Sequence, residues 1–450
     1  APEAILDLCH LDQQSLSERY ADIDTLAKQG MRVLGVAQAK TTMLPIIQHD
    51  FDFEFVGLLG FIDPIRPEVP EAIAECREAG IQVMMITGDY PSTAQQIAQT
   101  IGLNKGEVLT GSELEAMTDQ ELSLRIKEVS ICARVIPEQK LRIVNALKVS
   151  GEVVAMTGDG VNDAPALKAS NIGVAMGLRG TDVARESADL VLLDDSFSSI
   201  VGGVRMGRRI FDNLRKAMAY ILAIHVPIAG LSLLPILLHA MTGQTWPMIL
   251  MPVHIVFLEL IIDPACSVVF EMEPEESGVM KRKPRSPEER LFSTEMVVIG
   301  LLQGLSVLLA VFFVYAYALK LNHSEDDVRA LAFTTLIFSN IGLILINRSW
   351  SDSWFRSLRV KNTAFWWVIP LAFAMMMSVL YVPFLRDIFH FSPFHWQDLA
   401  VSLGASTLSI LWFEIYKAIK RIKSAGKAKK MRYRSEASSY SQATQVRQAI

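Results

Sequence analysis

Two regimes of hydrophobic patterning divide the 450 residues. Up to about residue 205 the apolar runs are short. "IQVMMI" (81–86), "ICARV" (131–135), "VVAM" (153–156), "IGVAM" (172–176) and "LVLL" (190–193) are short apolar runs, as strands buried on both faces should be. Helical patterns lie between several of them, including "PEVPEAIAECREAG", stopped by Gly80, and "PEQKLRIVNALKVSG", stopped by Gly151. This alternation predicts an α/β fold with a doubly wound parallel sheet, whose ligands bind beyond the carboxyl ends of the strands. From about 214 to 418 the runs lengthen to the ~20 residues that cross a bilayer. Six spans are predicted, at roughly 216–239, 248–270, 294–319, 328–347, 364–384 and 397–417. A helical pattern beginning near Ser198 enters the first span without a break, so one rigid helix is expected to tie the two regimes together.

Composition fits this division: 51% of residues are hydrophobic and the mean hydropathy is +0.29. Charge in the loops orients the spans. "KRKPRSPEER" (281–290), "NRSWSDSWFRSLRVK" (347–361) and the tail from Lys417 are basic, whereas the alternate loops are neutral, acidic or weakly charged. Basic loops stay in the cytoplasm, which predicts a multi-pass protein of the cell membrane with its soluble part and C-terminus cytoplasmic. The lipid bilayer is thus an expected partner, and nucleic acid is not. The net charge of −5 decides little, and Cys9, Cys76, Cys132 and Cys266 lack C-x-x-C spacing and read as free thiols. The first residue is Ala and no leader follows, so a preceding segment is expected.

Candidate chemistry gathers at strand ends. "MMITGD" ends in Thr87-Gly88-Asp89, and "VAMTGDG" ends in Thr157-Gly158-Asp159-Gly160. Glycine lets backbone approach a phosphate, and the hydroxyl and amides of Thr-Gly can hydrogen-bond its oxygens. A carboxylate such as Asp159 suits Mg²⁺, a hard cation held by one or two carboxylates, phosphate oxygen and water. Lys140, in "PEQK", offers a point charge to a transferring phosphoryl group. A single T-G-D is as readily a capped turn; two of them, a lysine and "DGVNDAP" together point to phosphoryl chemistry.

These residues carry a resemblance. "TGDGVNDAPALK" (157–168), "MITGD", "DPIRPEV" (63–69) and "ARVIPEQK" (133–140) resemble the second half of the phosphorylation domain of P-type cation-transporting ATPases, a haloacid-dehalogenase-like fold. "APEAIL" and "GMRVLGVA" (30–37) resemble the end of the family's nucleotide-binding domain. The resemblance implies four regions: the end of the nucleotide-binding domain (1–45), the phosphorylation domain (46–205), a stalk helix with six spans (206–420) and a basic cytoplasmic tail (421–450). It implies ATP and Mg²⁺ as cofactors. Asp159 would hold Mg²⁺, and Asn162 and Asp163 would organise the same loop. Lys140, Thr87 and Gly88 would contact the phosphoryl group. Asp89 and Arg134 would line the nucleotide cleft, Arg32 would reach the nucleotide phosphates, and Asp63 and Arg66 would brace the join between domains. The family's D-K-T-G nucleophile, which forms an aspartyl-phosphate, is not among these residues. The chain is therefore expected to be the C-terminal half of a pump, inactive alone, with the N-terminal half as its partner.

The transported ion is approached through polar residues in the spans. Glu259 and Asp263, in "VFLELIIDPACS", share one helix face, and Pro264 frees the carbonyl of Leu260. His225 and Pro227 occupy the preceding span, where the proline frees the carbonyl of Ala223. Acidic oxygens beside free carbonyls suit a hard cation. Compared with calcium pumps of sarcoplasmic-reticulum type, His225 and Ile228 stand where that group has Asn and Glu, and Glu259, Ile262 and Asp263 stand where it has Asn, Thr and Asp. One divalent ion, Ca²⁺ or another, is the first expectation, and proton export is the alternative. Ser339 and Asn340 in the fourth span read as helix-joining polar residues. A membrane-tethered phosphatase and a non-catalytic membrane fragment are the readings of other classes.

Overall fold

A computed structural model describes residues 2–41, 45–103, 106–393 and 395–448, with side chains through residue 423. Most side chains of the expected basic tail therefore lie outside the described residues. The chain divides into two compact units, residues 1–205 with 280–287, and residues 206–279 with 288–450.

The first unit opens with α1 (Pro2–Leu8) and α2 (Gln13–Lys28), which pack through Leu6 and Ile23 on Val33 of an antiparallel pair, β1 (Arg32–Gln38) and β2 (Glu54–Phe61). Then strand and helix alternate: α3 (Val69–Glu78), β3 (Met85–Ile86), α4 (Pro91–Thr100), β4 (Glu107–Thr110), α5 (Gly111–Ala116), α6 (Asp119–Arg125), β5 (Val129–Ala133) and α7 (Pro137–Val149). β6 (Ala155–Gly158), α8 (Ala164–Ala169), β7 (Ile172–Met176), α9 (Asp182–Ser187) and β8 (Leu190–Leu192) complete it. Prolines at the first turn start α4 and α7, and Gly80 and Gly151, at φ +71° and +88°, stop α3 and α7 in the left-handed conformation that glycine adopts without penalty.

The expected parallel sheet is present as two ladders, ordered β3-β5-β4 and β6-β7-β8. β5 is buried along its whole length between two parallel neighbours, and apart from Ser130 its residues are apolar. β3 is shorter than the apolar run 81–86, since only Met85 and Ile86 pair with β5. Ile86 packs against a cluster containing Met156, Val144, Ala166 and Ala175, so the T-G-D ends of β3 and β6 rise from one shared core.

Helix α10 (Phe197–Thr242) continues for 46 residues, with Pro227 and Pro235 inside it. The expectation of an unbroken helix from Ser198 is met, and the division between the units falls within it. In the second unit, α11 (Pro252–Pro264) passes into a π-helical turn, Ala265–Val269. α12 (Thr294–Lys320), α13 (Glu325–Asn347), α14 (Trp354–Arg359), α15 (Thr363–Tyr381), α16 (Pro383–Ile388) and α17 (Trp396–Gln448) follow. Among the described residues six helices are long and apolar enough to cross a membrane, at the six predicted places. α13 is the most enclosed, and Tyr220, Phe270, Phe333 and Phe413 fill the core around it. Gly300 and Gly304 of α12 let that helix approach α10 closely, because a Cβ at either would stand 3.0 and 2.6 Å from the carbonyl oxygens of Ala219 and Ala223.

Candidate functional site

At the end of β6, Gly158 is required by what lies under it. A Cβ there would stand 2.4 Å from the Cβ of Asp163, whose side chain folds back beneath the turn. Asp163 is buried, with Oδ1 2.6 Å from the Lys140 ammonium and Oδ2 accepting the Gly160 N–H at 3.3 Å. Lys140 reaches this point from the first turn of α7, and Val144 one turn later anchors that helix in the shared core. Asp159 and Asn162 are exposed beside the pair. The Asp159 carboxylate makes no hydrogen bond or ion pair among the described residues, while its backbone carbonyl accepts the Thr181 N–H at 2.8 Å. A free carboxylate next to a neutralised one is a donor set that suits a hard cation.

The end of β3 is built differently. The Thr87 N–H donates to Cys132 at 2.9 Å, extending the ladder by one residue. The Thr87 hydroxyl donates to Asp89 Oδ2 at 3.1 Å and accepts the Asp89 N–H at 3.1 Å, closing a small ring that leaves Gly88 exposed. No hydrogen bond or ion pair among the described residues joins this turn to the turn at 157–163. The common core of Ile86 and Met156 brings their roots together.

Arg32 and Arg134 both reach Asp89. The exposed Arg32 side chain holds Nε 3.7 Å from Asp89 Oδ1, and the Arg134 N–H donates to the Asp89 carbonyl at 3.2 Å. Arg134 has φ +58°, a left-handed conformation rare for a non-glycine residue. Its guanidinium pairs with Glu3 and lies over the Tyr90 ring, 4.1 Å from the centroid. Glu3 and Tyr90 were not singled out by the sequence; the sign carried no signal, as neither belongs to a repeated turn. Arg66 donates to the backbone carbonyl of Asp195. The Asp195 carboxylate in turn accepts the N–H groups of Leu178 and Arg179 at 3.0 and 2.9 Å, fastening the turns after β7 and β8 together. Burial pushes that carboxyl up, and these amides outweigh it to hold it below its ordinary value. Asp63 is exposed.

In the second unit, His225, Glu259 and Asp263 are brought onto one side. The His225 ring donates Nδ1–H to the Ile221 carbonyl at 2.8 Å, and its Nε2 stands 3.7 Å from Glu259 Oε1. The side chains of His225 and Glu259 are 51% and 39% accessible, and Asp263 is exposed, so the group faces outward from the helices described. The Ala223 carbonyl freed by Pro227 is not turned to this group: it faces Gly304 of α12, which corrects the expectation that it would help to hold an ion. Pro264 is followed by the π turn, within which the Ser267 hydroxyl donates to the Asp263 carbonyl at 2.6 Å. Asn340 is 1% exposed, and neither atom of its amide has a hydrogen-bond partner among the described residues. Ser339 donates to the Thr335 carbonyl at 2.8 Å. A buried unpaired amide costs free energy, which sets Asn340 apart from the helix-joining role read in the sequence. No group of three or more His, Cys, Asp or Glu side chains is arranged to hold a metal ion among the described residues.

Comparison with known proteins bears on both units. Residues 17–171 match the family of haloacid dehalogenase-like hydrolases, and residues 247–419 match the C-terminus of cation-transporting ATPases. A calcium-transporting ATPase of Bacillus subtilis (strain 168) is 38% identical over 405 residues, covering 87% of this chain and 44% of that protein. Calcium-transporting ATPase 1 of Lactococcus lactis is 35% identical over 416 residues, 90% of this chain and 46% of its own length. The potassium-transporting ATPase alpha chain 2 of Rattus norvegicus is 39% identical over 374 residues, 70% of this chain and 35% of that protein. The chain spans less than half the length of each.

Proposed function

The chain belongs to the P-type cation-transporting ATPases, and from that premise we propose that it forms part of a pump that drives a divalent cation, Ca²⁺ first, across the cell membrane at the expense of ATP. The observation that carries the reading is the pairing of two sites of different chemistry in one chain. Lys140, Asp159 and Asp163 stand at a strand end suited to phosphate and a hard cation. Glu259, Asp263 and His225 stand on helices long and apolar enough to cross a membrane. Carboxylates at such depth are costly and are kept for a function.

In this reading Asp159 would hold Mg²⁺ with Asp163 and Asn162 beside it, and the free Asp159 carboxylate fits that role. Mg²⁺, when bound, would offset charge on the phosphoryl oxygens. Lys140 fixes Asp163 and places an ammonium beside the transferring group. Thr87 and Gly88 would bind phosphoryl oxygens through the hydroxyl and the exposed backbone, and Asp89, Arg134 and Arg32 would meet the nucleotide. The phosphoryl acceptor is a carboxylate supplied by a segment outside these 450 residues. Support comes from the ladders: β3 and β6 are each paired on one side only, both end in T-G-D, and they share a core. An added parallel strand between them would bring an acceptor to both turns.

The cation is assigned to Glu259 and Asp263, with the unsatisfied amide of Asn340 as a further oxygen donor in the same unit. Proton export is the second reading, and the His225–Glu259 approach is what favours it. The test is phosphorylation of membranes containing the native gene product by γ-labelled ATP. We expect an acid-stable, hydroxylamine-sensitive label that requires calcium and is lost in Glu259→Gln and Asp263→Asn. Label independent of calcium would move the assignment to protons or another cation. Absence of label would refute the pump.

A further inference from the structure

One end of the helical unit holds a buried ionic joint that the site above does not use. Glu273 follows the π turn of α11 by a few residues. Its carboxylate accepts Arg348 Nε at 2.9 Å and Asn362 Nδ2 at 2.6 Å on one oxygen, and Arg348 Nη2 at 3.2 Å on the other. Its backbone carbonyl accepts Asn213 Nδ2 at 2.6 Å and Arg209 Nε at 2.9 Å, both from α10. Arg348 caps the C-terminus of α13 and Asn362 caps the N-terminus of α15. The Arg348 side chain is 0% accessible and that of Glu273 is 4% accessible. The guanidinium also stacks on Phe365, 4.4 Å from the ring centroid, and sends Nη2 to the Val360 carbonyl at 3.3 Å. A single residue thereby gathers α10, α11, α13 and α15.

Stability alone does not account for such a joint. Well-packed apolar residues of similar volume generally stabilise as much as a buried ion pair, whereas removing one partner leaves an uncompensated charge. What the pair supplies is geometry. The bidentate fork admits one relative placement of Glu273 and Arg348, and the two α10 donors fix the Glu273 backbone at the same point. Glu273 lies on the segment that carries Glu259 and Asp263, and α10 carries His225.

We propose that Glu273 is a positioning residue for the cation site, with Arg348 and Asn362 as its anchors, so that α10 and the Glu259–Asp263 segment keep one register against α13 and α15. The proposal rests on the pump reading above. The experiment uses the intact native pump in membranes, with Glu273→Gln, Arg348→Met and the two combined. Two quantities are read: the calcium concentration that half-saturates phosphorylation from ATP, and phosphorylation by inorganic phosphate in the absence of calcium. Each single variant is expected to raise the half-saturating calcium about tenfold or more while the label from inorganic phosphate stays within about twofold. The combined variant removes the same fork and is expected to lie within about threefold of the single variants, well above the unmodified pump, instead of multiplying their effects. Arg348→Lys, which folds with its charge kept but loses the fork, is expected to fall between. Unchanged calcium dependence in the single variants would overturn the proposal. So would a parallel loss of both labels, the mark of a merely structural role, or strict additivity in the combined variant. An unmodified pump with no calcium-dependent label would refute the pump reading, and this one with it, before any variant is compared.

Discussion

Glu276 gives the sharpest test of the electrostatics in the helical unit. Its Oε1 lies 2.9 Å from the Lys216 ammonium and accepts the Trp350 N–H at 3.0 Å, and its other oxygen accepts the Ser351 hydroxyl. The Lys216 and Glu276 side chains are 4% and 13% accessible. Burial pushes the carboxyl up, but the Lys216 charge, the two hydrogen bonds from Lys216 and Ser351 and the Trp350 amide outweigh it, drawing the carboxyl from 4.5 to about 2. A folded pKa below the unfolded one stabilises the fold above pH 4.5, and that stability is lost as pH falls through 2. The difference of 2.5 pH units (4.5 − 2), at about 1.36 kcal/mol each, corresponds to about 3 kcal/mol. Glu276→Gln is therefore expected to unfold more easily by about 3 kcal/mol at pH 7 and to match the unmodified protein near pH 2. Denaturant unfolding of detergent-solubilised protein, followed by tryptophan fluorescence from pH 7 to pH 2, reads the gap directly. A gap that stays constant, or widens toward acid, would refute the assignment of the low pKa to this contact.

Three further outcomes concern the first unit. Lys140→Met removes the 2.6 Å partner of a buried Asp163 and is expected to cost about 1–3 kcal/mol in urea unfolding and to abolish the phosphoenzyme; stability equal to that of the unmodified chain would contradict the pairing. Gly158→Ala drives a Cβ to 2.4 Å from that of Asp163, so a loss of about 1–3 kcal/mol in the same assay and at least a tenfold fall in label are expected. Burial pushes the Cys132 thiol up to about 12, so mass spectrometry after maleimide treatment at neutral pH should find Cys132 unmodified in the folded protein and labelled only after denaturation.

The spans were legible because length and apolarity alone define them; α12 begins at Thr294 where the pattern begins, and α10 starts one residue before the expected Ser198. β7 coincides with its apolar run for the same reason, being buried between β6 and β8. β1, β2 and β4 were not read as strands. The first two alternate weakly and carry glycines at 35, 57 and 60, and "EVLT" is too short to announce itself. Repeated text exposed the T-G-D turns, whereas the Lys140–Asp163 contact joins positions 23 apart that only the fold brings together. Arg348 shows the limit of charge counting. In the sequence it belongs to a basic loop that orients spans, yet the structure buries it completely against Glu273. Ala223 shows the limit of the proline rule: a missing N–H predicts a free carbonyl, but not which neighbour covers it.

The π turn after Pro264 gives slack to the segment that carries Glu259 and Asp263. A turn closed from residue i to i+5 holds one residue more than an α turn, and Ala265–Val269 stores that residue immediately beyond Pro264. Passing the extra residue one step along the chain swings a side chain by about 100°, one residue's share of an α turn, without lengthening the segment or displacing either end. A shift of that residue toward the N-terminus, past Pro264, would re-aim Asp263 relative to Glu259 with Pro252 and Glu273 in place. A span that turns a single carboxylate in this way needs no rigid-body tilt to change what that carboxylate faces.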